Sequence, residues 1–247
     1  MEMLREVRAA GMAALQLPNV LRRRGCETSQ YVAERNARYP VVLVHGYAAT
    51  ESVWTPLRRA LAEAGFGHIV SLNYNSFATD PVTVSAELTH QALAAAGASR
   101  VHLVGHSLGG LVVRGALAAS AALSAQTASA VTIASPHRGV FLARIAPGRC
   151  ARIMHRGPGP VLPGVDAPRP VRWLAYYSDA DRVVPPVSAR LDDPQYRAAN
   201  LLIPGCGHLT ICRDVRLIRS LVSELTRAET LADPTARTDP GRELMAA

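Results

Sequence analysis

Ser107 interrupts an apolar run, with Gly105 two residues before it and Gly109 two residues after. Glycine serves where the backbone must turn through conformations a Cβ forbids, or where another segment approaches closely. A hydroxyl so placed sits on a sharp turn, a geometry that suits a nucleophile. Serine becomes reactive only when a base takes its proton and a third group holds that base in the right tautomer. The chain offers eight histidines for the base. His208 is singled out because it follows an apolar strand-like run, precedes the last helical segment, and is flanked by Gly205 and Gly207. His45 and His106 lie inside glycine turns and read as loop-positioning residues. His68, His90 and His102 read as structural, and His155 falls in an irregular stretch. His137, in Ser135-Pro136-His137-Arg138-Gly139, is a candidate substrate contact but precedes any suitable acid.

The acid lies in Ser178-Asp179-Ala180-Asp181. Asp181 is followed by Arg182-Val183-Val184-Pro185, which folds the loop back and buries a carboxylate, the environment that orients an imidazole. Asp181 is therefore preferred, with Asp179 as a turn former. Acyl transfer also needs donors for a developing oxyanion. The backbone N–H of Leu108, at the start of the helix after Ser107, supplies one, and that of Tyr47, after the His45-Gly46 turn, supplies the other.

These residues need elements to hold them. Val41–Gly46 is a continuous apolar run, as a central parallel strand requires. Further strands are predicted over His68–Tyr74, Val101–Val104, Ala130–Ser135, from Val171 to about Tyr177, and from Ala199. Helices are predicted over Glu51–Ala64, from Pro81 after the capping Asp80 to about Ala96, from Ser107 to about Ala122, and over Thr210–Arg227. Strands alternating with helices imply a parallel sheet covered on both faces, whose ligands bind at the carboxyl edge of the strands. Tyr47, Ser107, Asp181 and His208 each fall at such a strand end. Residues 138–169 are crowded with proline and glycine and read as an irregular excursion above the sheet.

At 247 residues, the chain has room for one such domain. The expected boundaries are a helical, basic extension over 1–40, an α/β domain over 41–228, and a disordered tail over 229–247. The start of the chain reads as an amphipathic helix, with Leu4, Val7, Gly11 and Leu15 on one side, and as a poor signal peptide. No apolar run approaches the roughly 18 residues of a membrane span. The expected location is therefore cytoplasmic or peripheral to a membrane. The net charge of +8 comes from 27 basic residues, all of them arginine. Apart from Arg22-Arg23-Arg24 they are scattered and lack interleaved aromatics, so nucleic acid is not an expected partner. Attraction to anionic lipid remains compatible with that charge. Cys26, Cys150, Cys206 and Cys212 form no Cys-x-x-Cys pair, which argues against a zinc ribbon or thioredoxin-type site. Cys206 and Cys212 bracket His208 and read as buried free thiols rather than a disulfide.

Taken together, "VVLVHGY" at 41–47, "GHSLGG" at 105–110, "SPHRG" at 135–139, "SDADRVVP" at 178–185 and "GCGHLTI" at 205–211 resemble the α/β-hydrolase superfamily. The likeness is greatest to its bacterial lipase and esterase group, represented in actinobacteria and bacilli. The chain order of serine, acid and histidine agrees with that family. The resemblance implies an α/β-hydrolase fold with a minimal cap and a cofactor-free, metal-free serine hydrolase. Its substrate would be a carboxylic ester or lipid, cleaved through an acyl-enzyme. It carries over Ser107 as nucleophile, Asp181 as acid, His208 as base, and Tyr47 with Leu108 as oxyanion hole. An acyltransferase or thioesterase using the same three side chains is the alternative. Contact with a lipid surface through the N-terminal segment is a further expectation.

Overall fold

The computed structural model describes residues 8, 15, 17–23, 25–32, 38–155 and 171–232. Seven strands form one sheet: β1 (Cys26–Val32), β2 (Val41–Val44), β3 (His68–Tyr74), β4 (Val101–His106), β5 (Thr127–Ile133), β6 (Arg172–Tyr177) and β7 (Ala199–Leu202). Their order is β1-β3-β2-β4-β5-β6-β7. Six strands run parallel, and β1 pairs antiparallel with β3 at the edge. The helices are α1 (Thr55–Glu63), α2 (Pro81–Ala96), α3 (Leu108–Ala119), α4 (Ala121–Gln126), α5 (Pro186–Ala189) and α6 (Val215–Ala232).

Alternation along the strands builds two apolar layers. Val42, Val44, Val70, Leu72 and Leu103 pack on α2 and α3 through Leu88, Val112 and Val113. Val41, Leu43, Ile69, Val104 and Ile133 face α1 and α6 through Leu57, Leu61, Leu217 and Leu221. From β2 the chain moves to β3 on one side and then returns to β4 on the other. The carboxyl ends of β2 and β4 therefore diverge, the kind of place where sheets of this type bind ligands.

Most predicted elements are present, and their ends differ for local reasons. Strand β3 and helix α2 match in extent; Asp80 caps α2 by accepting from Val82 N–H (2.9 Å), and Gly97 at φ 56° ends it. The helix predicted from Glu51 is a 3-10 turn over Glu51–Trp54 before α1 begins. Pro56 has no N–H, so the α-helical ladder cannot run back through it. Helix α6 begins at Val215 rather than Thr210, because the Asp214 carboxylate caps it by accepting from Arg216 N–H (2.8 Å). It also runs past Arg227 to Ala232. Glu229, expected to open the tail, instead accepts from Arg38 Nη1 and Tyr39 N–H, both at 2.8 Å. The remaining tail, 233–247, lies outside the described residues.

Within 1–40, expected as a helical, basic extension, Cys26–Val32 is a strand. Its backbone pairs with β3 while most of its side chains stay accessible, so no hydrophobic alternation marks it. Most of the amphipathic segment at the start of the chain lies outside the described residues. Residues 17–22 are helical, with Leu21 exposed and Val20 buried. The excursion after β5 is irregular as expected: short 3-10 turns at Phe141–Arg144 and Cys150–Met154, closed by a bridge between Val140 and His155. Its remainder, 156–170, is not among the described residues. Among those that are, no helix is long and apolar enough to cross a membrane. The four cysteines are reduced thiols, and Cys206 Sγ–H donates to Asp214 Oδ2 (3.0 Å).

Candidate active site

Strand β4 enters helix α3 through a single residue. Ser107 has φ 52° and ψ −121°, a conformation that L-residues seldom adopt and that costs about 1–3 kcal/mol. The surrounding glycines make the turn possible by close packing. A Cβ on Gly105 would lie 2.4 Å from the Gly109 carbonyl carbon, and one on Gly109 would lie 2.1 Å from the Val44 carbonyl oxygen. One on Gly110 would meet Ser135 Oγ at 2.0 Å. The turn is pinned further by Ser107 N–H donating to Ile133 O (2.8 Å).

The fold brings together the three side chains named from the sequence. Ser107 Oγ lies 3.1 Å from His208 Nε2, and His208 Nδ1 lies 2.7 Å from Asp181 Oδ2. All three residues are buried, each about 6% exposed. An ionised carboxylate only accepts, so the imidazole proton sits on Nδ1 and leaves the Nε2 lone pair facing the hydroxyl. Asp181 Oδ1 accepts from Val183 N–H and Val184 N–H, both at 2.8 Å. The carboxylate is thus anchored on one oxygen and presents the other to the imidazole.

Asp179 has a different place. It accepts from Gly205 N–H (2.7 Å), while Ser178 Oγ accepts from Cys206 N–H (3.0 Å). The loop after β6 therefore braces the loop that carries His208. Sequence reading found Asp179 as a turn former but missed this bridge; two polar residues directly after a strand were the available signal. Gly205, at φ 71°, lets the His208 loop double back.

His106 and His45 both hold loops. His106 Nε2–H donates to the His208 carbonyl (3.1 Å), with the two rings 5.0 Å apart. Its Nδ1 has no partner among the described residues. Burial, and then the neighbouring His208, lower its pKa to about 3. His45 Nδ1–H donates to Gly46 O (2.9 Å), its Nε2 accepts from Tyr74 N–H (3.3 Å), and its ring stacks on Tyr74. Burial lowers its pKa to about 4. Both rings are neutral above that range.

The loop after β2 runs directly against the serine: a Cβ on Gly46 would lie 3.0 Å from Ser107 Cβ. Tyr47 follows at once, and Leu108 is the first residue of α3, where unpaired N–H groups carry the positive end of the helix dipole. His137, considered as a substrate contact, is buried and fully engaged. It accepts from Arg114 Nη1 at Nδ1 (3.1 Å), and its Nε2 lies 3.0 Å from Thr132 Oγ1. Arg114 also donates to Tyr196 OH and lies over that ring. The sequence did not single out Arg114; its place on the helix that follows the serine was the only hint. Among the described residues, no three His, Cys, Asp or Glu side chains gather as metal ligands would.

A sequence model of the alpha/beta hydrolase family matches residues 41–212, and the chain belongs to that family. It is 38% identical over 113 residues to a triacylglycerol lipase of Pseudarthrobacter phenanthrenivorans, covering 41% of this chain and 34% of that protein. It is equally identical over 113 residues to a triacylglycerol lipase of Burkholderia plantarii, covering 41% and 30%. The match thus spans about a third of the length of these curated relatives. Among solved structures, the mature Bacillus licheniformis lipase BlEst2 superposes with a TM-score of 0.66 at 16% identity, over 81% of this chain and 97% of that one. A monoacylglycerol lipase of Paleococcus ferrophilus does so at 0.62 and 16%, over 83% and 100%. At such identities the structural likeness speaks to fold alone.

Proposed function

We propose that this chain is a serine hydrolase that cleaves carboxylic esters, including lipid esters, through an acyl-enzyme. The observation that carries the reading is the hydrogen-bonded line from Ser107 Oγ through the His208 ring to Asp181, at 3.1 and 2.7 Å, on a strained turn at a strand end. The names of the sequence relatives, both triacylglycerol lipases, support the same substrate class.

In the first half-reaction His208 Nε2 takes the Ser107 proton as Oγ attacks the ester carbonyl carbon. The carbonyl π pair moves onto oxygen, and the N–H groups of Tyr47 and Leu108 receive that oxyanion. Asp181 stays ionised and stabilises the imidazolium through Nδ1–H. As the tetrahedral centre collapses, the C–O bond to the alcohol breaks and Nε2–H protonates the departing oxygen. Water then repeats the sequence on the acyl-serine, with His208 again as base, and releases the carboxylic acid. No net proton is left on the protein. His45 and His106 contribute by position only, one shaping the Tyr47 loop and the other holding the His208 loop.

Hydrolysis of para-nitrophenyl esters from acetate to palmitate, with Ser107→Ala beside the unaltered chain, tests the reading. Nitrophenol release that disappears in Ser107→Ala is the expected result, and the preferred chain length separates esterase from lipase behaviour. Equal, background-level release from both proteins across the series would overturn it.

A further inference from the structure

The segment from Val140 to His155 forms an arch with a one-sided anchorage. Val140 N–H donates to Met154 O (2.7 Å), closing its base. On its inner side Ala143, Cys150, Ala151 and Met154 are buried. Arg149 N–H donates to Phe77 O (3.0 Å), and Gly148, at φ 94°, packs so closely on the Phe77 backbone that a Cβ there would come within 2.5 Å. Tyr47 OH donates to Pro147 O, and the Tyr47 ring meets Phe77 edge-on. The arch therefore rests on the loops after β2 and β3, and one of these is the loop that abuts Ser107.

Its outer side has an unusual composition. Phe141 is 60% exposed and Ile145 is 78% exposed. Arg144, Arg149 and Arg152 are exposed beside them, and among the described residues none of the three pairs with a carboxylate. The Arg144 guanidinium instead lies 5.8 Å above the Phe141 ring. This is no accident of folding, since the chain contains no acidic residue between Glu87 and Asp166. A soluble face ordinarily mixes signs and keeps large aliphatic side chains inward. This one offers two apolar tips among three uncompensated cations.

We propose that the outer face of the arch docks the protein on an anionic phospholipid surface, with Phe141 and Ile145 entering the acyl boundary and Arg144, Arg149 and Arg152 meeting the headgroup phosphates. Charge complementarity selects anionic over zwitterionic lipid, because each arginine near such a surface contributes favourably and, among the described residues, no carboxylate pairs with the three. The apolar tips select lipid over nucleic acid: Ile145 has no π-face to stack on a base, and the Phe141 ring is already covered by a guanidinium. Docking in this orientation turns the carboxyl edge of the sheet, with Ser107, toward the membrane. The assignment draws on exposure and charge and does not depend on the reaction proposed above.

Flotation of the full chain carrying Ser107→Ala tests it without hydrolysis of the lipid. The vesicles are phosphatidylcholine alone and an equimolar mixture of phosphatidylcholine and phosphatidylglycerol. The protein is expected to float with the mixed vesicles and to remain largely unbound with phosphatidylcholine. Changing Arg144, Arg149 and Arg152 together to glutamine lowers partitioning about fivefold per residue, roughly a hundredfold in all. Phe141→Ser with Ile145→Ser lowers it as well, and both sets of variants keep the parent's thermal transition because every altered side chain is exposed. Equal flotation with both vesicle types would overturn the proposal, as would triple-glutamine protein that partitions like its parent. Retention on double-stranded DNA without flotation, or a concentration-dependent dimer that Phe141→Ser abolishes without flotation, would replace lipid with another partner. Floating Ser107→Ala protein beside an unaltered chain that releases no nitrophenol would defeat the ester-hydrolase reading alone, and an active unaltered chain whose Ser107→Ala form does not float would defeat this inference alone.

Discussion

At the turn around Ser107 every direction is occupied. Gly105 lies against Gly109, Gly109 against Val44, and Gly110 against Ser135, with no room for one methyl group. The arch at 140–155 is occupied on one side only: Gly148 is pressed onto Phe77, while Ile145 stands in solvent. Both regions project from the carboxyl edge of one sheet, and both use glycine to bring backbone against backbone. They differ in what the packing must secure. The turn holds one oxygen within hydrogen-bonding distance of one nitrogen, so it is constrained all round. The arch presents a surface, which requires an anchor and little else.

That contrast can be sharpened by substitution. The largest effect belongs to Ser107→Ala, expected to lower ester turnover about 10⁶-fold, with Asp181→Asn next at about 10⁴-fold. A thermal transition close to that of the parent in both would place the loss in chemistry rather than folding. An Asp181→Asn protein with near-parental kcat/KM would instead break the proposed line from serine to acid.

Gly109→Ala tests packing at the turn. Its new methyl meets backbone at 2.1 Å, so something must move. Overpacking of this kind costs about 3 kcal/mol. A loss of about 10 °C in Tm follows for a domain of this size, read by differential scanning calorimetry. Ile145→Ser, on the outer side of the arch, is expected to change stability by no more than about 0.5 kcal/mol. Similar shifts in the two variants would erase the distinction between the regions.

A pH series separates the histidines. His106 and His45 have pKa values lowered to about 3 and about 4 from an ordinary 6.5, chiefly by burial. Between those values the unfolded chain binds protons that the folded chain does not, so stability rises with pH there. Their contribution is complete above about 6.5 and is lost progressively as pH falls toward 3. His106→Gln keeps an N–H for the His208 carbonyl but does not titrate, so its Tm should fall less between pH 6.5 and pH 4. An identical slope in both proteins would show that His106 is not the source.

How much of this was legible in the chain follows from what is local. The glycine spacing around Ser107, the apolar runs of β2, β3 and β4, and the cap and proline that start α2 are local signals, and each element lies where its signal does. The serine, acid and histidine were named from their positions after such elements. Other features carried no local signal. Strand β1 is held by backbone hydrogen bonds at a sheet edge, which impose no alternation on its side chains. Asp214 was overlooked as the cap of α6 because the apolar period runs through it. Arg114, His137 and Tyr196 come from three separate stretches and meet only when α3 packs beside the loop after β5.

The sequence by itself determined the α/β class, where most strands and helices lie along the chain, and the residue types available at the strands' carboxyl ends, because hydrophobic period and turn chemistry act over a few residues. Only the tertiary structure decided that Asp179 ties the loop after β6 to the His208 loop, which groups His45 and His106 bond, and which side of the arch meets solvent. Those outcomes depend on contacts between segments 26 to 102 residues apart, which the parallel crossovers set and no local pattern records.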